Sequence, residues 1–371
     1  MAHKQPFAFL VVITLLLAAT HAPAPAAEAE AEPAPPVDRY VVPDGGPEEL
    51  LEFIQGVLQT PPPNEESREK ALAALNEASD RVLASKATDE QLETVVELKL
   101  NLLRGQPDEL KALAEKLKAA GRDRFVRQVR GTLLATELQA AMRGPRDEAI
   151  PAVGKAIGQI VEFLDEGPFE PSDVQLGMMA GQVAEMTGND ELAVGVYRRL
   201  EKSAAESDDP RLKSLAKSLE GVIRRLTLVG KPMEIKGTTL AGEPFDWSQY
   251  AGKTVLVDFW ATWCGPCVRE VPALKRLHAA YYEKGFDIVG ISLDQDRNAL
   301  ETFVKERELP WTILYEDEGR NPVADYYGVM GIPLMILVGA DGKVVSIQAR
   351  GHALAELLEA RFGPVPEQEE P

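Results

Sequence analysis

Two patterns of apolar spacing divide the chain. Between Pro47 and Leu226 the apolar residues return at helical intervals: Leu110, Leu113, Ala114 and Leu117; Ala193, Val196, Tyr197 and Leu200; Leu212, Leu215, Ala216 and Leu219. Each set stands at i, i+3, i+4 and i+7 and therefore lines one face of a helix. The punctuation agrees with the period. Thr88 with Gln91 reads as a capping box, Gly121 as a C-terminal cap, and Asp209-Pro210 as an N-cap followed by a first helical residue. β-branched runs are scarce, so residues 47–226 are expected to form an all-α domain.

After Leu226 the texture changes. "TVLVDFW" (Thr254–Trp260), "DIVGISLD" (Asp287–Asp294), "LMILVGA" (Leu334–Ala340) and "KVVSIQA" (Lys343–Ala349) are apolar runs of strand length. Helical patterns lie between them at Cys267–Lys284, Ala299–Glu306 and Ala353–Ala360. Strands alternating with helices predict a βαβ core with a mostly parallel centre, an α/β domain over residues 227–363. "ADGK" (Ala340–Lys343) predicts a hairpin that makes the last strand pair antiparallel, and Gly230–Lys253 a small hairpin and turn ahead of the core. Within the helical part, Gly188–Leu226 looks like the paired antiparallel helices of a tetratricopeptide-type array. No clean repeat period recurs elsewhere, so an irregular helical bundle is the competing reading.

The ends differ from both domains. A single Lys precedes the apolar run Phe7–Ala19, and small residues with an A-x-A pattern follow it. That is the layout of a secretory signal peptide, with cleavage expected after Ala26. An uncleaved anchor is the alternative, but these 13 apolar residues fall short of the roughly 20 that span a bilayer. Residues 27–46, rich in Ala, Pro and Glu, read as a disordered tether, and 364–371 as a disordered acidic tail. Export to the periplasm or cell envelope follows. The 40 basic against 59 acidic residues give a net charge of −19, which argues against nucleic acid or an anionic membrane face as partner. The helical domain carries no His, Cys or carboxylate cluster on its apolar faces, so docking a protein partner is the most it offers.

Export gives weight to the only two cysteines of the chain, Cys264 and Cys267. They lie where a buried strand ends and a helix starts, and the unpaired N–H groups there favour a thiolate at the first cysteine. A disulfide closed over so few residues constrains the unfolded chain little, so it suits opening and closing rather than stapling. A zinc site needs about four ligands. Once the leader is removed only His278 and His352 stand beside the cysteines, and His278 reads as a helix-surface residue. No metal is expected, and redox chemistry is the reading that holds.

"VLVDFWATWCGPC" resembles thioredoxin, and with "CVREVP" it looks like the exported thioredoxin-like oxidoreductases of the TlpA/ResA type. The resemblance covers roughly Thr227–Gly363. It implies that Cys264 is the exposed nucleophile, that Cys267 resolves the mixed disulfide, and that Asp258, as a buried carboxylate, takes the Cys267 proton. It implies that Pro272 kinks the active-site helix and that Pro333, after Ile332, is cis and holds a backbone edge for the substrate. Trp263, Gly265, Pro266, Ile332 and Leu334 are then expected along the substrate groove, although core filling accounts for Trp260 and Trp263 equally well. Leu309–Gly328 would be an insertion of about a strand and a helix. Two features depart from the pattern. Leu334 and Met335 stand where that family often has threonines, and no Thr-x-x-Cys motif of the peroxiredoxin kind surrounds Cys264.

The resulting expectation is an exported thiol–disulfide oxidoreductase needing no cofactor beyond its own Cys pair. It would act as a reductase of protein disulfides, with a role like that in cytochrome c maturation. Its partners would be protein thiols and disulfides and a membrane electron donor such as a DsbD/CcdA-like protein. A redoxin-type peroxidase, and a binding module whose helical domain recruits an envelope complex, are the rival readings.

Overall fold

The computed structural model describes residues 39–166, 169–316 and 321–365, together with the backbone but not the side chains of Arg146 and Pro171. The expected signal peptide (1–26), residues 27–38 of the expected tether and 366–371 of the expected tail lie outside the described residues. The chain divides into two compact units, Met1–Phe163 and Leu164–Pro371.

The first unit is helical: α1 (Pro47–Gln59), α2 (Glu65–Leu83), α3 (Asp89–Leu102), α4 (Pro107–Ala119), α5 (Asp123–Ala141) and α6 (Arg146–Asp165), whose last turn holds the boundary. The helix starts are those that the sequence encodes. Thr88 and Gln91 form the reciprocal capping box of α3, and Asn64 accepts from the Ser67 N–H ahead of α2. Leu110, Leu113 and Leu117 are buried together with Ile54, Leu75 and Val95 in one apolar cluster. Tyr40 and Val42 pack against that cluster, so the last residues of the expected tether are docked rather than free.

The second unit begins with three more helices, α7 (Pro171–Met186), α8 (Asp190–Glu206) and α9 (Pro210–Leu226). A five-stranded sheet follows: β1 (Thr254–Trp260), β2 (Phe286–Ser292), β3 (Thr312–Leu314), β4 (Leu334–Val338) and β5 (Val344–Ser346), in the order β3-β2-β1-β4-β5. β1, β2 and β3 run parallel, and β4 and β5 pair antiparallel, as the "ADGK" turn predicts. The helices are α10 (Gly265–Tyr281), α11 (Arg297–Arg307), α12 (Pro322–Tyr326) and α13 (Gly351–Phe362). β1 and β2 are buried along their whole length, which is why both read as mainly apolar runs rather than as alternating ones. β3 and α12 are the strand and helix expected between Leu309 and Gly328. The small hairpin expected after Gly230 forms, with Thr238 bridged antiparallel to Pro244, and the segment that carries it also bridges β5, at Val229↔Val344, and β3, at Thr239↔Leu314.

The switch of periodicity at Leu226 marks a change of secondary structure, whereas the compact units part sixty residues earlier, at Phe163/Leu164. Backbone contact joins α7–α9 to the sheet unit. A Cβ at Gly221 of α9 would lie 2.7 Å from the Gly328 nitrogen, and one at Gly328, where φ is +57°, would lie 2.2 Å from the Val222 nitrogen. Beside this crossing the Arg224 guanidinium stacks 3.9 Å above the Tyr326 ring. Buried Arg225 pairs with Glu185 at 2.9 Å, and the Gln348 side chain donates to the Glu185 carbonyl at 3.1 Å.

A Gly→Ala change inside a helix ordinarily stabilises by about 1 kcal/mol. At Gly221 the reverse is expected, a loss of about 2 kcal/mol or more, because the new methyl meets backbone that cannot yield. Urea unfolding of Gly221→Ala measures this, and an unchanged or raised midpoint would show that α9 does not press on the turn at Gly328.

Candidate active site around the Cys264–Cys267 disulfide

β1 delivers the site. Its last residue, Trp260, is 2% exposed, and the short turn Ala261–Trp263 leads directly into the cysteines. A buried clamp sets that turn. Asp294, just past the end of β2, accepts the Thr262 N–H at 3.1 Å on both carboxylate oxygens, and the Ser292 hydroxyl at 2.8 Å. The Leu293 N–H donates to the Trp260 carbonyl at 2.9 Å.

Cys264 is the N-cap of α10. It forms a disulfide with Cys267 across a Cα–Cα distance of 5.2 Å, and its Sγ accepts the Cys267 N–H at 3.2 Å. The first turn of a helix presents unpaired N–H groups and a positive dipole end, so a sulfur held there is stabilised as a thiolate once the bond opens. Cys264 was expected to be the exposed sulfur, but in the disulfide form it is 5% exposed, against 3% for Cys267. It belongs to the buried apolar cluster that includes Trp260, Leu274 and Met335. The exposed surface beside the pair comes instead from Trp263, Gly265 and Pro266. Trp263 is 66% exposed, so it is not core filler, whereas Trp260 lies inside and packs on Phe303.

The Ile332–Pro333 peptide is cis, as the resemblance implies. Pro333 immediately precedes β4, and Leu334 pairs with Phe259, so the cis peptide sits level with the C-terminal end of β1, where the cysteines begin. Ile332 packs against the apolar cluster that contains Cys264, Cys267 and Trp260. Leu334 is half-buried, and Met335 is buried. Pro272 lies inside α10.

Asp258 stands in the middle of β1 between Gly290 of β2 and Met335 of β4. It is 5% exposed, and its Oδ1 has no hydrogen-bond partner. Burial, and behind it the negative charge of Glu270, push its carboxyl up to about 7, while Arg350 pulls the other way. Glu270 is one helical turn past Cys267 and pairs with Arg350, the N-cap of α13, at 2.9 Å. Sequence reading missed Glu270, Arg350 and Asp294. Only the i, i+3 spacing of Cys267 and Glu270 offered a local signal.

His278 corrects an expectation. It reads as a helix-surface residue but is 6% exposed, and its Nε2 pairs with Asp287 Oδ1 at 3.2 Å. Burial works against ionisation of Asp287, yet hydrogen bonds from His278 and Lys253 hold its carboxyl below the usual range. The residue faces inward because β2 supplies this polar partner in an otherwise apolar wall. Among the described residues no group of three or more His, Cys, Asp or Glu is placed to hold a metal ion.

A sheet of this order, with its central strand running into a cysteine-capped helix, is the thioredoxin fold, and a disulfide at that turn makes the chain by class a thiol–disulfide oxidoreductase. Residues 228–354 match the Redoxin family model. The thiol-disulfide oxidoreductase ResA of Bacillus thuringiensis subsp. konkukian is 34% identical over 122 residues, covering 33% of this chain and 69% of that one. The ResA of Halalkalibacterium halodurans is 33% identical over 112 residues, covering 30% and 62%. Among solved structures, the thioredoxin domain of a thiol-disulfide oxidoreductase from Bacteroides vulgatus is 31% identical and covers 36% of this chain and 96% of that one, with a TM-score of 0.34. A secreted Mycobacterium tuberculosis disulfide oxidoreductase, described as homologous to E. coli DsbE, is 29% identical over 34% of this chain and 95% of that one, with a TM-score of 0.30. The chain belongs to the TlpA/ResA-type thiol–disulfide oxidoreductases.

The Asp258 carboxyl makes the stability of the fold depend on pH. An unfolded Asp ionises near 3.9, whereas the native one holds its proton up to about 7. The folded state therefore binds the extra proton between those values, and stability present below the lower one is lost as pH rises through the upper one. Asp258→Asn should be more stable than the parent by about 4 kcal/mol at pH 8 and nearly equal to it at pH 4. Urea unfolding of the oxidised protein at both pH values checks this, and a gap that does not change with pH would contradict it.

Proposed function

We propose that the chain reduces disulfides of protein clients in the cell envelope. The observation that carries this reading is the Cys264–Cys267 pair closed over the start of α10, at the end of the strand that holds the buried carboxylate of Asp258. The Cys264 thiolate attacks one sulfur of a client disulfide. A mixed disulfide forms, and the second client sulfur leaves as a thiolate that takes a proton from solvent. Cys267 gives its proton to ionised Asp258 and attacks Cys264 Sγ, which releases the first client sulfur. The client gains two electrons and becomes a dithiol, and this chain becomes the disulfide seen here. No bound cofactor enters either step.

The exposed Trp263, Gly265 and Pro266 together with Ile332, Pro333 and Leu334 form the groove that receives the client, paired as an added strand along the backbone edge at the cis peptide. Reduction back to the dithiol needs a donor of two electrons, and a membrane dithiol protein of the DsbD/CcdA kind supplies them. Apocytochrome c is the client class that this reading favours. The N-terminal leader pattern supports export. No helix among the described residues is long and apolar enough to cross a membrane.

Equilibrating the chain from residue 27 onward in graded glutathione buffers gives its reduction potential. A value near −270 mV, about that of thioredoxin, is expected, and one near −120 mV, about that of DsbA, would reverse the proposed direction. Cys267→Ser should accumulate a mixed disulfide with a model disulfide substrate, and Cys264→Ser should form none.

A further inference from the structure

Arg350 has no part in the chemistry described so far, yet the fold places it with care. Met335 is the cross-strand partner of Asp258, and the Met335 carbonyl accepts the N–H of Ala349 at 3.0 Å. Arg350 is the next residue, so its backbone is tied to the sheet row that carries Asp258. On its other side, the Gln348 side chain donates to the Glu185 carbonyl at the end of α7. Its Nε meets Glu270 Oε1 at 2.9 Å, the two side chains being 46% and 19% exposed. Glu270 in turn stands one turn past Cys267 on α10.

We propose that Arg350 is a positioning residue that holds the Glu270 carboxylate in a neutralised pair and so keeps Asp258 able to accept the Cys267 proton near neutral pH. The proposal rests on the reading of Asp258 as the base for Cys267. The charged and titratable groups at this point are Asp258 from β1, Cys264, Cys267, Arg269 and Glu270 from the start of α10, and Arg350 ahead of α13. β2 and β4 contribute only Gly290 and Met335 beside Asp258. With Arg350 in place, part of the negative charge that Glu270 turns toward the buried carboxylate is offset, Glu270 remaining the larger of the two influences. Without it, an uncompensated anion faces Asp258, which then keeps its proton to higher pH and is a poorer acceptor at neutrality. The burial and unpartnered Oδ1 of Asp258 make it sensitive to a charge at that distance, because little water screens it.

The test uses the full chain with Arg350→Gln, Arg350→Lys, Glu270→Gln and the double change Arg350→Gln/Glu270→Gln. Carboxyl NMR of the oxidised protein reads the Asp258 titration, and the pH profile of model-disulfide reduction by the reduced protein reads the reaction. Arg350→Gln should raise the Asp258 midpoint by about 0.5 to 1 pH unit and move the profile the same way. Arg350→Lys should keep both close to the parent. Glu270→Gln should lower the midpoint, and adding Arg350→Gln to it should raise it again by less than in the parent, because only the direct pull of Arg350 is then lost. The proposal is overturned if Arg350→Gln leaves the midpoint in place, or if it shifts the midpoint as much in the Glu270→Gln background as in the parent. If every midpoint moves as stated while the rate profiles coincide, it is the reading of Asp258 as base that fails.

Discussion

A carboxylate in the middle of the central strand, with one oxygen bonded to nothing, is the constraint around which the second unit is arranged. Asp258 cannot be solvated, because β1 is flanked on both edges and buried along its length. A lone anion there is costly, and the cost is met by retaining the proton to about pH 7 rather than by a partner. A group left in that state destabilises the native protein at neutral pH, and packing alone gives no reason to retain it. Under the proposed mechanism, what it gains is a proton acceptor that titrates where cysteine chemistry operates. The strand, the helix that starts at its end and the cis peptide on the neighbouring strand all bring chemistry to the sheet end above it.

Much of this was legible because it is local. β1 and β2 are mainly apolar runs since neither face meets water, and the helix caps at Thr88 and Asp209 satisfy backbone groups a few residues away. The Cys-Gly-Pro-Cys turn and the Ile332-Pro333 step likewise carry their meaning within a few residues. The parts that were not legible are contacts between residues far apart in sequence. Gly221 and Gly328 join α9 to the sheet unit through the absence of side chains, and an absent side chain leaves no hydrophobic signal. His278 looks like surface because its partner, Asp287, is on another element. Asp294, Glu270 and Arg350 are ordinary polar residues until the fold brings them to the turn and the carboxylate they serve.

The helices α7–α9 change meaning once they are grouped with the sheet. Read by period they belong with the helices before them, and the role left for them is docking. Their own contacts point inward instead. Arg225, Tyr197 and Glu185 form a buried polar cluster in which Tyr197 donates to Glu185 at 2.7 Å, and the backbone of Glu185 holds Gln348. That hydrogen bond ends two residues from Arg350, so α7 braces the segment that carries the charge nearest the Glu270–Asp258 pair. Bracing of this kind explains why a minimal sheet unit is preceded by tightly packed helices without any appeal to an outside partner.

The charges around the dithiol also bear on the direction of the reaction. The potential of a Cys-x-x-Cys pair rises when its reduced form is stabilised, chiefly through the thiolate of the first cysteine, and falls when that thiolate is disfavoured. The helix start favours the thiolate in every protein built this way, so neighbouring charge decides between members. Here the ionisable side chains near the pair include two carboxylates, Asp258 and Glu270, and two guanidiniums: Arg350, which is engaged by Glu270, and Arg269, whose Nη1 would lie 3.6 Å from a Cβ at Gly265. A thiolate at Cys264 would add a third anion beside these two carboxylates, and the two guanidiniums leave no excess of positive charge to stabilise it as in a strong oxidant. Under the proposed reduction of client disulfides, that balance is what would leave the dithiol as the form that gives its electrons away.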